Sequence, residues 1–320
     1  MTDRYGRTIR YLRISLTDRC NLRCRYCMPA QGVPLRRHGE ILRYEEIVEI
    51  AKAALSLGID TFKLTGGEPL VRRDVPALVA ALKNLPGTRQ VTLTTNGLLL
   101  EAQLEALLDA GLDAVNVSLD TLDDGQYHAL TRRDYPVAAV VAAVRQAAGR
   151  LPVKVNAVLL PETADQWIPL ANLAADPGVD VRFIEEMPIG KGEAAPNLTA
   201  DRVLAVLRGR WPDLAPCGEH RGNGPAHYYK AAGLAGRIGF IDAVTHRFCA
   251  SCDRLRLTCT GTLRPCLCYD DGIGLRGILR SGAGPEALQA AIRQAIAEKP
   301  EAHCFGARHG SQQTMNTIGG

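Results

Sequence analysis

Three thiols fall within eight residues in the stretch Cys20-Asn21-Leu22-Arg23-Cys24-Arg25-Tyr26-Cys27. Cysteines at this density, in a chain whose first residues carry no apolar secretory segment, read as ligands rather than disulfide partners. The spacing is C-x3-C-x2-C, and the next residue of ligand type, His38, lies eleven positions further on. Structural zinc takes four ligands, so this loop is one short and would have to borrow a remote one. An iron–sulfur cube held by three thiolates keeps its fourth iron open for a substrate or cofactor. Ligand arithmetic therefore favours an iron–sulfur site with one open position over a three-Cys zinc loop.

A second group lies towards the other end of the chain, Phe248-Cys249-Ala250-Ser251-Cys252-Asp253-Arg254-Leu255-Arg256, followed by Cys259, Cys266 and Cys268. Read as C-x2-C-x13-C, Cys249, Cys252 and Cys266 supply three more ligands. A zinc ribbon of Cys249, Cys252, Cys266 and Cys268 meets the ligand count. Against it, Cys266 and Cys268 are closer together than the usual ~2 to 4 intervening residues, and Arg254 and Arg256 crowd the same loop. Two guanidinium groups beside a metal site suit an arriving anion. Cys259 and Cys268 leave the third ligand less fixed than the first two, and Cys266 is chosen. Cys217 and Cys304 have no partner motif and read as structural or incidental.

Such loops need a scaffold, and the apolar periodicity supplies one. Residues 11–17 alternate as a strand that runs into the first Cys loop. Helices are expected at 43–57, 75–84, 101–110, 136–148, 165–175 and 200–208, with strands at 61–65, 91–95, 114–119, 153–160 and 179–184. Six β–α units imply parallel strands, as an open doubly wound sheet or a partial barrel. Functional residues should gather where strands end. Gly66-Gly67-Glu68-Pro69, Asn96-Gly97, Asp120 and Glu185-Glu186-Met187-Pro188 occupy such ends. Asn96-Gly97 by itself reads as an ordinary turn.

The 320 residues suffice for a core domain and a smaller one. No apolar run approaches the ~18 residues of a membrane span, and a net charge of +4 is too mild to argue for nucleic acid or a membrane surface as partner. There is no repeat and no low-complexity tract. Residues 212–225 hold three Gly and three Pro and read as a junction, so the expected domains are 1–210 and 211–320. Residues 1–7 carry charge with no apolar segment behind it, which points to the cytoplasm.

C-x3-C-x2-C with Tyr26 before its last Cys resembles the radical S-adenosylmethionine enzymes, and Gly66-Gly67-Glu68-Pro69 resembles their GGEP motif. C-x2-C-D-R-x-R-L-T, the later L-R-P-C-L and the terminal Gly319-Gly320 narrow the resemblance to one branch, the GTP 3′,8-cyclases of molybdenum cofactor biosynthesis, from Leu12 to Gly320. The resemblance implies a partial (β/α)6 barrel with a smaller C-terminal cluster-binding domain, and two [4Fe-4S] clusters, one on Cys20, Cys24 and Cys27, the other on Cys249, Cys252 and Cys266. It implies S-adenosylmethionine at the first, contacted by Tyr26, Gly67, Ser118 and Met187, although a buried Met is more often core filling. GTP would bind at the second, with Arg13, Lys63, Thr94, Lys154, Arg182, Arg254, Leu255 and Arg256 on its phosphates and base. Arg254, Arg256 and the inserted Gly319 and Gly320 would serve catalysis. The partners implied are an external electron donor and a downstream cyclic pyranopterin monophosphate synthase, with no nucleic acid or membrane, and a homodimer is left open.

Two positions depart from the family pattern. Lys63 stands where the family commonly has Arg, and Thr61 where it often has another basic residue, so the triphosphate contacts are expected to be thinner or rearranged. Two rival readings share part of this pattern. A twin-cluster radical enzyme acting on a peptide would not need the Arg254 and Arg256 pair, and a zinc-dependent nucleic-acid-binding module would hold zinc in place of iron and sulfide.

Overall fold

A computed structural model describes residues 1–34, 36–192, 198–219, 221–305 and 311–319. The β–α alternation is present. β1 (Tyr11–Ser15) runs into the first Cys loop and α1 (Tyr44–Leu55), followed by β2 (Thr61–Thr65), α2 (Val75–Lys83), β3 (Gln90–Thr95) and α3 (Leu100–Asp109). Next come β4 (Ala114–Ser118), α4 (Asp124–Thr131), α5 (Val137–Ala148), β5 (Val153–Val158), α6 (Trp167–Asn172), β6 (Val179–Ile184) and α7 (Ala200–Arg210). α4 was not expected. Its apolar signal is weak, since only Tyr127, Leu130 and Thr131 are buried, and it starts because the Asp123 side chain accepts from the Gln126 amide. The helix expected at 165–175 is an α-helical turn flanked by 3-10 segments.

Beyond α7 the chain makes β7 (Ala215–Cys217), β8 (His227–Lys230), β9 (Ile238–Ile241), β10 (Arg254–Leu257), β11 (Thr262–Arg264), β12 (Ile273–Gly274), α8 (Leu275–Arg280), α9 (Pro285–Ala297) and α10 (Met315–Ile318). These strands join the sheet of the first six. The order is β12-β11-β10-β1-β2-β3-β4-β5-β6-β9-β8-β7, with β10 parallel to β1 and β9 parallel to β6. The segment after residue 210 thus extends both edges of a curved, unclosed sheet.

Strand periodicity decides what each face carries. Leu12, Ile14, Phe62, Leu64, Val91, Leu93, Val115, Val117, Val153, Val155, Val181 and Phe183 are buried in one core with the helices, where each such side chain contributes about 1.5–3 kcal/mol. The alternate positions, Arg13, Lys63, Thr94, Asn116, Ser118, Asn156 and Arg182, line a cavity on the concave side. Cross-strand register keeps them together, Arg13 opposite Lys63 and Arg256, and Asn156 opposite Arg182. A slip of one residue would place these cations in the apolar layer.

α1 is tied to the C-terminal segment through Glu46, whose carboxylate accepts from Arg280 at 2.6 and 3.0 Å and from the Arg43 amide. The Arg280 hydrogen bond is the main reason its pKa falls to about 2 from an ordinary 4.5. Because the folded value is depressed, this contact stabilises fully above the unfolded value and is lost as pH falls towards 2. Glu46→Gln is expected to cost about 1.5–3 kcal/mol at pH 7, read by urea unfolding of the apoprotein, with the difference from wild type shrinking as the pH is lowered.

Candidate active site

All six cysteines of the two motifs, Cys20, Cys24, Cys27, Cys249, Cys252 and Cys266, line one cavity of about 310 Å³. The first three come from the loop after β1. The others come from a 3-10 turn before β10 and the turn after β11. Cys259 is buried outside the cavity wall, its carbonyl accepting from the Leu42 amide. Cys268 is paired with Cys304, so that of the two readings of Cys304, structural or incidental, it has a structural contact. Of the three later thiols, Cys266 is the one that reaches the cavity.

Burial raises the pKa of Cys20 to about 11 and of Cys27 to about 12, and lifts Cys24 well above its ordinary value. Burial would also raise Cys252, but the Arg254 charge and then Lys299 outweigh it and bring it down to about 7. The donor set fits iron–sulfur clusters. Each motif offers three sulfur donors on a cavity wall, with open space where a fourth iron and its ligand would sit. Among the described residues no three His, Cys, Asp or Glu side chains are gathered around a single-ion site.

The glycines after β2 are there for the cluster loop. A Cβ on Gly66 would stand 2.6 Å from the Thr17 carbonyl oxygen, and one on Gly67 2.3 Å from that of Arg19. Instead, the amides of Gly67 and Glu68 donate to those two carbonyls at 2.7 Å. The close approach is therefore to backbone, a more local reason than the cofactor contact expected from the motif. Glu68 is fully buried, accepts from the Leu70 and Asn96 amides and the Thr95 hydroxyl, and burial lifts its pKa to about 7. This fastens the loop to the end of β3. Asn96, read from sequence as a turn residue, lines the cavity and donates to Asn21 Oδ1 at 2.7 Å, so its role is larger than a turn.

Tyr26, Gly67, Ser118 and Met187 also line the cavity. The Tyr26 hydroxyl donates to Asp120 at 2.7 Å, and burial raises the Asp120 pKa to about 6. Thr94 is on the wall, and its hydroxyl has no hydrogen-bond partner. Leu255 points away into the hydrophobic core, which leaves only its backbone for a ligand.

Positive charge dominates the middle of the cavity. Arg13, Lys63, Arg182, Arg254 and Arg256 are on its wall, and Lys154 sits just behind, where a Cβ on Gly222 would lie 3.0 Å from its Nζ. Burial and then the Arg182 and Arg13 charges push Lys63 well below its ordinary value. Burial and then Arg182 bring Lys154 to about 8, and burial and then Arg13 bring Arg256 to about 9. Arg254 also lies 4.8 Å over the Phe248 ring.

The C-terminal residues enter this charge. The Gly319 carbonyl accepts from Arg13 Nε at 2.8 Å and from Arg256 at 2.7 Å. Gly319 has φ +75°, and a Cβ there would stand 3.0 Å from Thr65 Cγ2 and 3.2 Å from Ser15 Cβ. Asn316 anchors the approach by donating to the Asp18 carbonyl at 3.0 Å. Gly320 lies outside the described residues. Lys299, His303 and Asn316 also line the cavity and were missed from sequence, because each belongs to no local motif.

Comparison with known proteins agrees with this architecture. Residues 14–174 match the radical SAM superfamily, and residues 179–305 match a family described as Molybdenum Cofactor Synthesis C. A protein named GTP 3′,8-cyclase from Moorella thermoacetica is 44% identical over the full length of both chains. Another of that name from Pelotomaculum thermopropionicum is also 44% identical over both full lengths, and one from Clostridium perfringens is 38% identical. Among solved structures, Streptococcus suis SuiB bound to S-adenosylmethionine superposes with a TM-score of 0.60 at 14% identity, covering 98% of this chain and 76% of that one, which shows a common fold. With two thiol triads on one cavity wall and full-length relatives at this identity, the chain belongs to the GTP 3′,8-cyclase family of the radical S-adenosylmethionine superfamily.

Proposed function

We propose that the chain converts GTP to (8S)-3′,8-cyclo-7,8-dihydroguanosine 5′-triphosphate, the first step of molybdenum cofactor biosynthesis. The observation that carries this reading is the single cavity that holds both thiol triads with a band of buried cations. S-adenosylmethionine held at the first triad would, on one-electron cleavage that releases methionine, supply a 5′-deoxyadenosyl radical to take hydrogen from ribose C3′ of GTP. Bonding of C3′ to guanine C8 would leave an unpaired electron on the purine, which a second electron and a proton would convert to the 7,8-dihydro product. The protein's part is position, because a misplacement of ~1 Å can cost on the order of 100-fold.

In this reading Cys20, Cys24 and Cys27 hold the first [4Fe-4S] cluster and Cys249, Cys252 and Cys266 the second, whose open iron takes the guanine. Tyr26, Gly67, Ser118 and Met187 seat S-adenosylmethionine. Arg13, Lys63, Thr94, Lys154 and Arg182 take the triphosphate, a polyanion that relieves the mutual repulsion of these buried cations. Arg254, the Leu255 backbone and Arg256 face the base and ribose, with the Gly319 carbonyl on Arg13 and Arg256, and Gly320 completing the tail's catalytic role. Where the family pattern has a basic residue at position 61, the Arg89 guanidinium reaches the Thr61 hydroxyl at 2.7 Å and brings a charge to that end of the barrel. Residues 1–210 form the radical-generating unit and 211–320 the unit carrying the second cluster. The work needs an external one-electron donor and supplies cyclic pyranopterin monophosphate synthase. It is assigned to the cytoplasm, without nucleic-acid or membrane partners, and is compatible with a homodimer. No helix of the described residues is long and apolar enough to cross a membrane.

Cys20→Ser, Cys24→Ser or Cys27→Ser should remove about one cluster's iron and abolish 5′-deoxyadenosine formation. Cys249→Ser and Cys252→Ser should keep the first cluster and lose cyclised nucleotide. Anaerobic turnover with iron and sulfide analysis checks both, and cyclisation at the wild-type rate in the second pair would reduce that site to a structural one.

Deleting Gly319 and Gly320 should leave both clusters' iron in place and uncouple the reaction, with 5′-deoxyadenosine outlasting cyclised product. Arg256→Ala should lower cyclisation about 10- to 100-fold, the loss of one charge-assisted contact. Product ratios by chromatography decide, and wild-type ratios in the truncated chain would discard a role for the tail.

Lys154 has a folded pKa of about 8, so near that pH it is partly neutral before ligand arrives. A bound triphosphate favours the charged form, and binding at pH 8 should take up protons. Calorimetry of GTP binding in buffers of different ionisation enthalpy reads this, with the uptake reduced in Lys154→Met.

A further inference from the structure

Lys299 is 2% exposed and follows α9, in a segment that runs behind the later cysteines. Its ammonium donates to the Arg254 carbonyl at 2.8 Å and to the Pro265 carbonyl at 2.7 Å. Those carbonyls lie two residues after Cys252 and one residue before Cys266, so one side chain spans both arms of the ligand set. Lys299 also lines the cavity that the cysteines face. Two carbonyls thus hold its ammonium, which offsets part of the cost of burying a charge, otherwise several kcal/mol.

The same segment is braced from the chain's other end. Arg7 is buried with Asp3, at 2.6 Å, and donates to the Cys249, Glu301 and Pro300 carbonyls at 2.9, 3.0 and 2.7 Å. The His303 amide donates to the Cys249 sulfur at 3.4 Å. Cys249 is therefore tied to residues 300–303, and the loops that carry Cys252 and Cys266 are tied to Lys299.

We infer that Lys299 is a positioning residue for the second cluster, locking the Cys252 and Cys266 arms in one geometry and placing its ammonium between them. This rests on the assignment of Cys249, Cys252 and Cys266 as that cluster's ligands. Reduction adds negative charge to a cluster, so an ammonium held between its ligand loops stabilises the reduced form and raises its potential. Arg254 alone cannot supply the arm-to-arm tie, because it lies on only one of them.

The test uses the full chain carrying Cys24→Ser, so that only the second cluster is read, with Lys299 or with Lys299→Gln, Lys299→Met or Lys299→Arg. Iron and sulfide are counted and the cluster is titrated by EPR against potential. The neutral variants should shift the midpoint potential downward and change the EPR g-values, and Lys299→Arg should stay closer to Lys299. Unchanged potential and spectrum in Lys299→Gln with a full cluster would overturn the inference. If the neutral variants instead fail to hold the cluster, the same substitutions in a chain with Cys24 intact should keep the first cluster and the wild-type far-UV circular dichroism. Loss of both clusters together would overturn the inference, since Lys299 would then be a general fold contact. Absence of iron from the Cys24→Ser chain with Lys299 intact would count against the ligand assignment itself.

Discussion

Positive charge gathered inside a barrel is the constraint on which the rest of the site depends. Arg13, Lys63, Lys154, Arg182, Arg254 and Arg256 share a small volume, and burial together with neighbouring cations lowers the pKa of Lys63, Lys154 and Arg256. Such a set persists because β-sheet register over-determines it, with outward Leu, Val and Phe residues fixing which way each strand faces. The Gly319 carbonyl offsets part of the repulsion by accepting from two of the arginines. The polar lining of this barrel contrasts with the packed apolar interior of a closed barrel, and it suits a highly charged substrate lying through the sheet's concave side.

The two ends of the cavity solve the thiol problem differently. At the first loop burial raises the cysteine thiols, and the surrounding order comes from backbone contact, Gly66 and Gly67 against residues 17–19 and Glu68 with three donors. At the second, cations do the ordering, with Arg254 and Lys299 drawing Cys252 towards its thiolate. That difference follows from side chains next to each loop and is independent of the cysteine spacing.

Much of the barrel was legible because its strands carry both signals at once, apolar periodicity for the core and polar residues at the alternate positions. β2 and β6 fall at their expected residues, and helices such as α2 and α5 differ by a residue at an end. α4 was invisible because one cap and few buried residues define it. β9 and β10 were missed as sheet members because short strands owe their place to partners far along the chain. For the site, motif spacing found the six cysteines and the glycine loop. It left Cys266 less fixed than the others, because Cys259 and Cys268 differ from it in where they point, and it did not find Lys299 and Asn316, whose significance exists only after folding. Leu255 shows the converse, a residue within a motif whose side chain the strand turns into the core.

The C-terminal segment is what makes one chamber out of two cysteine loops. Had it folded as a separate lobe, its cysteines would face the barrel across a mobile boundary, as loosely joined domains do. Instead β10 pairs with β1 and β9 with β6, so the loop before β10 is carried by the same hydrogen-bonded sheet that carries the first Cys loop after β1. Arg7 from the N-terminus and Glu46 from α1 add side-chain ties to the same segment. The spacing between the two thiol triads is thereby set by sheet geometry, and a substrate that must touch both has a fixed length to match. The tail also lies outside this sheet, held by Asn316 to the loop after β1 and by Gly319 to Arg13 and Arg256. Its hold on two of the cavity's arginines, one on β1 and one on β10, ties it to the seam where the C-terminal segment joins the first six strands.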